Sequence, residues 1–147
     1  LGPAAWVEAA GGPSVAPQRT ALVGFRDKAE SLEYGMRQPE SISPQPIQRS
    51  AEALRADGPG TAAAALVSTL AEQAPFWLHL DVDVLDQDVF PATDYLMPGG
   101  LDWDELGAVL GPLLDSPRLI GASLGCYNPE KDPGLACGRA LVEALSA

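Results

Sequence analysis

The segment HLDVDVLDQDVFPATDYLMPGGL (79–101) holds the residues whose types and spacing could do chemistry. Side chains alternate along a strand, so His79, Asp81 and Asp83 are expected on one face, with Leu80 and Val82 on the other. Two carboxylates at i and i+2, near the carboxyl end of a buried strand, are costly to desolvate unless a cation neutralises them. Hard oxygen donors of this kind suit Mn2+, Mg2+ or Ca2+. The plainer alternative is a strand tip that runs into solvent with two aspartates that bind nothing. An EF-hand loop is excluded, because the positions that need an oxygen ligand and a glycine hold Leu85 and Asp86.

The elements that must position these residues alternate along the chain. ALVGF (21–25), FWLHLDVD (76–83) and LIGASLG (119–125) read as strands of apolar, aromatic and β-branched residues. A weak helical spacing comes after the first of them, through KAESLEYGM. The stretch RQPESISPQPIQ (37–48), with three prolines, reads as loop. A short helix from about Arg49 and a longer one over TAAAALVSTLAEQ (61–73) come next, broken at DGPG. LDWDELGAVLGPLL carries the strongest helix signal: Asp102 as N-cap and Glu105 three residues on form a capping box. Ser116-Pro117 stops it, and a last helix is expected over 134–145. Residues 1–19, rich in Gly, Pro and Ala, are expected to be irregular. Strands alternating with helices imply crossover units and an α/β fold, three layers with a parallel sheet. Ligands bind beyond the carboxyl ends of such strands, which is where Asp81 and Asp83 fall.

Composition narrows the function classes. The 147 residues suffice for one domain with a core, and 46% hydrophobic with 20% charged residues is an ordinary globular balance. Nine Lys and Arg against 20 Asp and Glu give a formal charge of −11, which argues against a nucleic-acid partner. Apolar runs fall short of the roughly 20 residues of a membrane span, and the first residues do not read as a secretory leader. Cys126 and Cys137 form neither a disulfide framework nor a metal knuckle, and are expected as reduced thiols of a cytoplasmic protein.

The residues after the two aspartates are more specific than the aspartates themselves. LDVDVLDQDVFPATDYLMPGGLDWDEL resembles the ureohydrolase family of arginases, agmatinases and formiminoglutamases, whose signature runs DxDxxDP, then PATGTP or similar, then GGL and a helix. Asp81, Asp83, Asp86, Pro91-Ala92-Thr93 and Gly99-Gly100-Leu101 match it without a gap. Downstream, SLGCYNPEKDP sits where the family has a strand ending in EVNP, with Asn128-Pro129 retained. Upstream, ALVGFRD looks like a strand ending in GxRD, so the resemblance spans about residues 20–145. Two other DxD classes match less well. Haloacid-dehalogenase-type phosphatases place a small or hydroxyl pair where Val84-Leu85 stand, and a sugar-nucleotide site would need an upstream nucleotide fold.

The resemblance implies a manganese-dependent hydrolase with two Mn2+ per complete site. Asp81 would bridge both ions and Asp83 would ligate one. A hydroxide generated on the metals would attack the carbon of a small linear guanidino or amidine substrate and cleave a C–N bond. Asp86 either orients the ligands or fixes the loop, or it simply caps a turn. His79 is either a supporting partner behind Asp81 or a packed strand residue. The family habit of forming trimers or hexamers implies a homo-oligomer.

Three departures qualify this. The two histidines and two further aspartates that complete the family's site belong to GGDHS- and DAHxD-type motifs, which this sequence lacks; His79 is its one histidine. The chain is therefore expected to be the C-terminal part of a single arginase-like domain, inactive alone and binding Mn2+ weakly or not at all. Second, the glutamate that grips the substrate guanidinium in arginases aligns with Cys126, either a small buried residue or a substrate-facing thiol. Third, PATGTP has become PATDYL, so Tyr95 and Asp94 alter the loop that lines the pocket. Cys126 and Tyr95 are the pocket candidates, the substrate is open, and a catalytically inactive relative is the alternative.

Overall fold

A computed structural model describes residues 8, 9, 11, 12 and 15–146. The expectation for residues 1–7, 10, 13 and 14 lies outside the described residues. The chain divides into two compact units, one of residues 1–22 and 27–48 and one of residues 23–26 and 49–147. In the first, 3-10 turns at Pro17–Arg19 and Pro39–Ser41 flank a short helix α1 (Lys28–Glu33). An ion pair between Lys28 and Glu40 ties α1 to the second of these turns.

Strand β1 (Ala21–Phe25) pairs with β2 (Ile47–Ser50) in a two-stranded sheet. β2 was hidden in the sequence because Pro44 and Pro46 mark the stretch before it as loop. The chain becomes extended one residue after Pro46, where Ile47 N–H binds Thr20 O at 2.9 Å.

The second unit carries the larger core. Helix α2 (Ala51–Asp57) is capped by Ser50, whose hydroxyl accepts the Ala53 N–H. Gly58, at φ +81°, ends α2, and Pro59 opens α3 (Pro59–Gln73) at a position where its missing N–H costs nothing. Helix α4 (Trp103–Leu114) begins at the expected capping box: Asp102 accepts the Glu105 N–H and Glu105 accepts the Asp102 N–H. Helix α5 (Ala136–Ser146) closes the chain. Leu54, Ala63, Leu101, Val109 and Leu113 form one buried cluster; Leu80, Val82, Leu85, Phe90, Leu106 and Leu141 form another.

Strands β3 (Phe76–Asp81) and β4 (Leu119–Gly125) pair in parallel, with Asp81 opposite Gly125 at their carboxyl ends. Leu80 is buried. The large residues of β3's other face lie over small ones of β4. A Cβ at Gly121 would sit 2.4 Å from the Trp77 ring, and one at Gly125 would sit 3.2 Å from the His79 ring. Trp77 is 60% exposed and Ile120 67%. Neither strand has a further partner among the described residues.

The strand expected to reach Asp83 stops at Asp81. The Asp81 carboxylate accepts the Asp83 N–H at 3.0 Å and so caps a 3-10 turn over Val82–Val84. An Asp side chain offering the backbone this local bond competes with continued strand pairing. The chain then returns to the sheet direction, and Leu85 bridges Leu101.

Candidate metal centre

Asp81 ends β3 and Asp83 lies in the turn just beyond it, so strand alternation does not bring them together. The capped turn does. Asp81, Asp83 and Cys126 each offer a ligand atom, all within 4.8 Å of one another. Cys126 enters from the end of β4, one residue past the partner of Asp81. Its backbone is left-handed, at φ +66°, a conformation that costs a non-glycine residue about 1–2 kcal/mol. Its Sγ donates to Asp81 Oδ2 at 3.3 Å. The side chain is exposed, which corrects the reading of Cys126 as a small buried residue.

Partial desolvation of the sulfur, although the side chain as a whole is exposed, and the two adjacent carboxylates push the Cys126 thiol up to about 11, from an ordinary 9.0. Desolvation is the largest cause, followed by the hydrogen bond to Asp81; both favour the neutral thiol. Because the thiolate is the nucleophile, alkylation at pH 8 should be about a hundredfold slower than for an unshifted thiol. The rate should still be climbing at pH 10. Iodoacetamide kinetics in a Cys137→Ser background test this, and an ordinary rate at pH 8 would contradict it.

Thr93, 3% exposed, donates its hydroxyl to Asp83 Oδ1. The PAT segment matched the family pattern, yet nothing in the sequence assigned Thr93 this task. Asp94 accepts Asn128 Nδ2 at 2.9 Å and Lys131 Nζ at 2.9 Å, while Lys131 also donates to Thr93 O at 2.8 Å. Asn128 N–H reaches Ala92 O at 2.8 Å. The segment after β4 therefore clasps the loop that carries Thr93. Lys131 and Asn128 hold the Asp94 carboxyl below its usual range. Tyr95, the other pocket candidate, is 46% exposed in the loop beyond Asp94.

Asp86 both caps a turn and fixes the loop. Its Oδ1 accepts the Asp88 N–H at 2.9 Å, and its Oδ2 accepts Gly99 N–H at 2.7 Å and Gly100 N–H at 3.2 Å. These bonds, the one from Asp88 first, hold its carboxyl below the ordinary value. His79 is exposed on the same strand face as Asp81, and not packed in the core. Its Nδ1 pairs with Ser123 Oγ at 2.8 Å, and the Trp77 indole donates to the same hydroxyl at 3.1 Å. The imidazole is thus anchored on β4.

A model of the Arginase family matches residues 4–146. The N(omega)-hydroxy-L-arginine amidinohydrolase of Streptomyces lavendulae is 33% identical over 121 residues, 82% of this chain and 39% of that protein. Arginase from Bacillus caldovelox superposes with a TM-score of 0.73 at 20% identity, over 97% of this chain and 48% of that one. Formimidoylglutamase from Bacillus subtilis gives 0.67 at 20% identity, over 85% and 38%. The chain spans less than half the length of each of these relatives.

Proposed function

Because the chain belongs to the arginase family, we propose that Asp81 and Asp83 are ligands of a binuclear manganese centre in a hydrolase of guanidino or amidine compounds. The observation that carries this is the convergence of three donor atoms within 4.8 Å at the carboxyl ends of two parallel strands. The donor set fits in part: two carboxylates are the hard ligands manganese prefers, and the thiol is a softer third. Two divalent cations, when bound, acidify water and polarise a guanidinium carbon.

The residues of this chain have narrower tasks. Asp81, whose oxygens accept from Asp83 N–H and Cys126 Sγ, would supply carboxylate ligand atoms to the cations when they are bound. Asp83 is oriented by Thr93. Cys126 presents a neutral thiol where arginases present a carboxylate, which removes a charge-assisted, two-point grip on a guanidinium. The substrate therefore departs from the pattern of arginine, and the Streptomyces lavendulae relative points to N-hydroxyguanidines as the first compounds to try.

Residues 1–147 are proposed as the C-terminal part of one such domain, whose remaining ligands lie on polypeptide beyond this sequence. In keeping with that, the chain alone is expected to bind Mn2+ weakly or not at all. A cytoplasmic location, with two free thiols, and a homo-oligomeric complete enzyme belong to the same proposal. Among the described residues, no helix is long and apolar enough to cross a membrane.

The alternative is a relative that keeps the fold and has lost turnover, and Cys126 is the observation that favours it. One experiment separates the two. In the complete protein, bound manganese is measured by elemental analysis, and urea or hydroxyurea release is measured from L-arginine, agmatine and Nω-hydroxy-L-arginine. Stoichiometric manganese with release from a panel member supports the hydrolase. Metal-free protein that releases neither product would sink it.

A further inference from the structure

Arg26 stands one residue beyond β1, far in sequence from the acidic cluster, and spends all of its side-chain bonds on backbone. Nη1 donates to Asp83 O at 2.8 Å; Nη2 donates to Leu85 O at 3.1 Å and Met97 O at 2.8 Å; Nε donates to Pro98 O at 3.1 Å. Two of these carbonyls belong to the turn that carries Asp83. The other two belong to the loop that leads into Gly99-Gly100.

Those two segments are also joined from another side. Asp86 N–H binds Leu101 O and Leu101 N–H binds Val84 O, each at 2.9 Å, while the Asp86 carboxylate holds Gly99 and Gly100. The guanidinium and the Asp86 carboxylate therefore fasten the same pair of loops through opposite kinds of group, one through carbonyls and one through N–H groups. We propose that Arg26 is a positioning residue for the metal centre: by holding Asp83 O and Leu85 O it fixes the turn that sets the Asp83 carboxylate against Asp81 and Cys126. This rests on the metal reading of Asp81 and Asp83.

Only arginine fits the task. Its planar fork presents five donors in fixed directions, enough to serve four carbonyls at once. A lysine in its place would keep the charge but offer three donors from a single point. Arg26 acts through Asp83, since its bonds reach neither carboxylate of the cluster.

Arg55 provides the control. It too donates to the loop, at Gly99 O and Gly100 O, and it is salt-bridged to Glu105, but it makes no bond to the turn of Asp83. A residue that merely holds the fold should behave as Arg55 does.

The test is a Mn2+ titration of the complete protein stripped of metal, read by paramagnetic broadening of backbone amides. In wild type, amides at 81–84 and 125–127 should broaden first. Disturbing groups that orient a metal ligand weakens binding about 10–100-fold. Arg26→Lys should therefore show between about a fifth and a fiftieth of the wild-type broadening at the wild-type midpoint concentration. Arg55→Lys should stay within about twofold of wild type, although both substitutions lower the thermal midpoint. Arg26→Gln is the second variant, should Arg26→Lys lose its amide dispersion, and it should fall on the same side. An unchanged midpoint in the Arg26 variants overturns the positioning role, as does an equal shift in Arg55→Lys. Absence of broadening near Asp81 and Asp83 in wild type overturns the metal reading itself, an outcome distinct from either.

Discussion

Asp83→Asn, made in the complete protein, is expected to lower kcat/KM for a guanidino substrate by at least about a thousandfold while leaving the fold intact. Asparagine keeps the shape of aspartate and an oxygen that can still accept the Thr93 hydroxyl, so the loop contact survives. Its backbone N–H still caps onto Asp81. What disappears is one negative charge facing the proposed cations. Metal activation contributes several kcal/mol to reactions of this class, and about 4 kcal/mol corresponds to three orders of magnitude in rate. Bound manganese should fall in parallel, and the unfolding free energy should move by no more than about 0.5 kcal/mol, the range of substitutions that break no packing. Near-wild-type turnover with full metal content would remove Asp83 from the site.

Gly100→Ala should produce the second large effect, and on stability. A Cβ at Gly100 would lie 2.3 Å from Asp86 N and Leu85 C and 2.5 Å from Leu85 O. All three are backbone atoms, so no side-chain rotation relieves the overlap. Inserting a methyl where nothing can yield costs typically 1–3 kcal/mol, and here the loss should reach about 3 kcal/mol. Gly99 is glycine for another reason. It sits at φ +81° with open space around it, Arg26 Cδ being 3.9 Å from where a Cβ would stand. Gly99→Ala should cost only the backbone strain of that conformation, about 1–2 kcal/mol. Urea unfolding of both variants in the 147-residue chain distinguishes them; equal losses would show that close approach is not what Gly100 provides.

The pair explains in physical terms what the GGL match could only register. Much of the molecule was legible. β1 and β4 fall where their apolar runs predict, and Asp102 with Glu105 starts α4 where the capping box places it. These are local signals, carried by neighbouring residues. The end of β3 was misread because the alternation HLDVD continues to Asp83, whereas the bond from Asp81 to Asp83 N–H turns the chain first. β2 was missed behind Pro44 and Pro46.

The acidic pair was legible too, yet what holds it was not. Arg26 reaches carbonyls 57 to 72 residues away, and Thr93 meets Asp83 only after the loop between them closes. Backbone acceptors carry no residue signature, so a guanidinium that binds only carbonyls leaves no pattern to read. Asp94 is instructive in the opposite sense. It breaks the family's loop sequence, yet with Lys131 and Asn128 it builds a clasp.

The open strand pair has a colloidal consequence. β4 runs LIGASLG without a charge or a proline, its outer edge lacks a partner among the described strands, and Ile120 and Leu124 are 67% and 45% exposed. An uncharged edge of this kind is a template on which another chain can add a strand. Nothing in β4 itself resists that addition. The opposing force is the net charge of −11, which acts between molecules only over the Debye length, about 8 Å at physiological ionic strength. Dispersal of the isolated chain is therefore an electrostatic property, strongest in dilute buffer and weakened by every increment of salt.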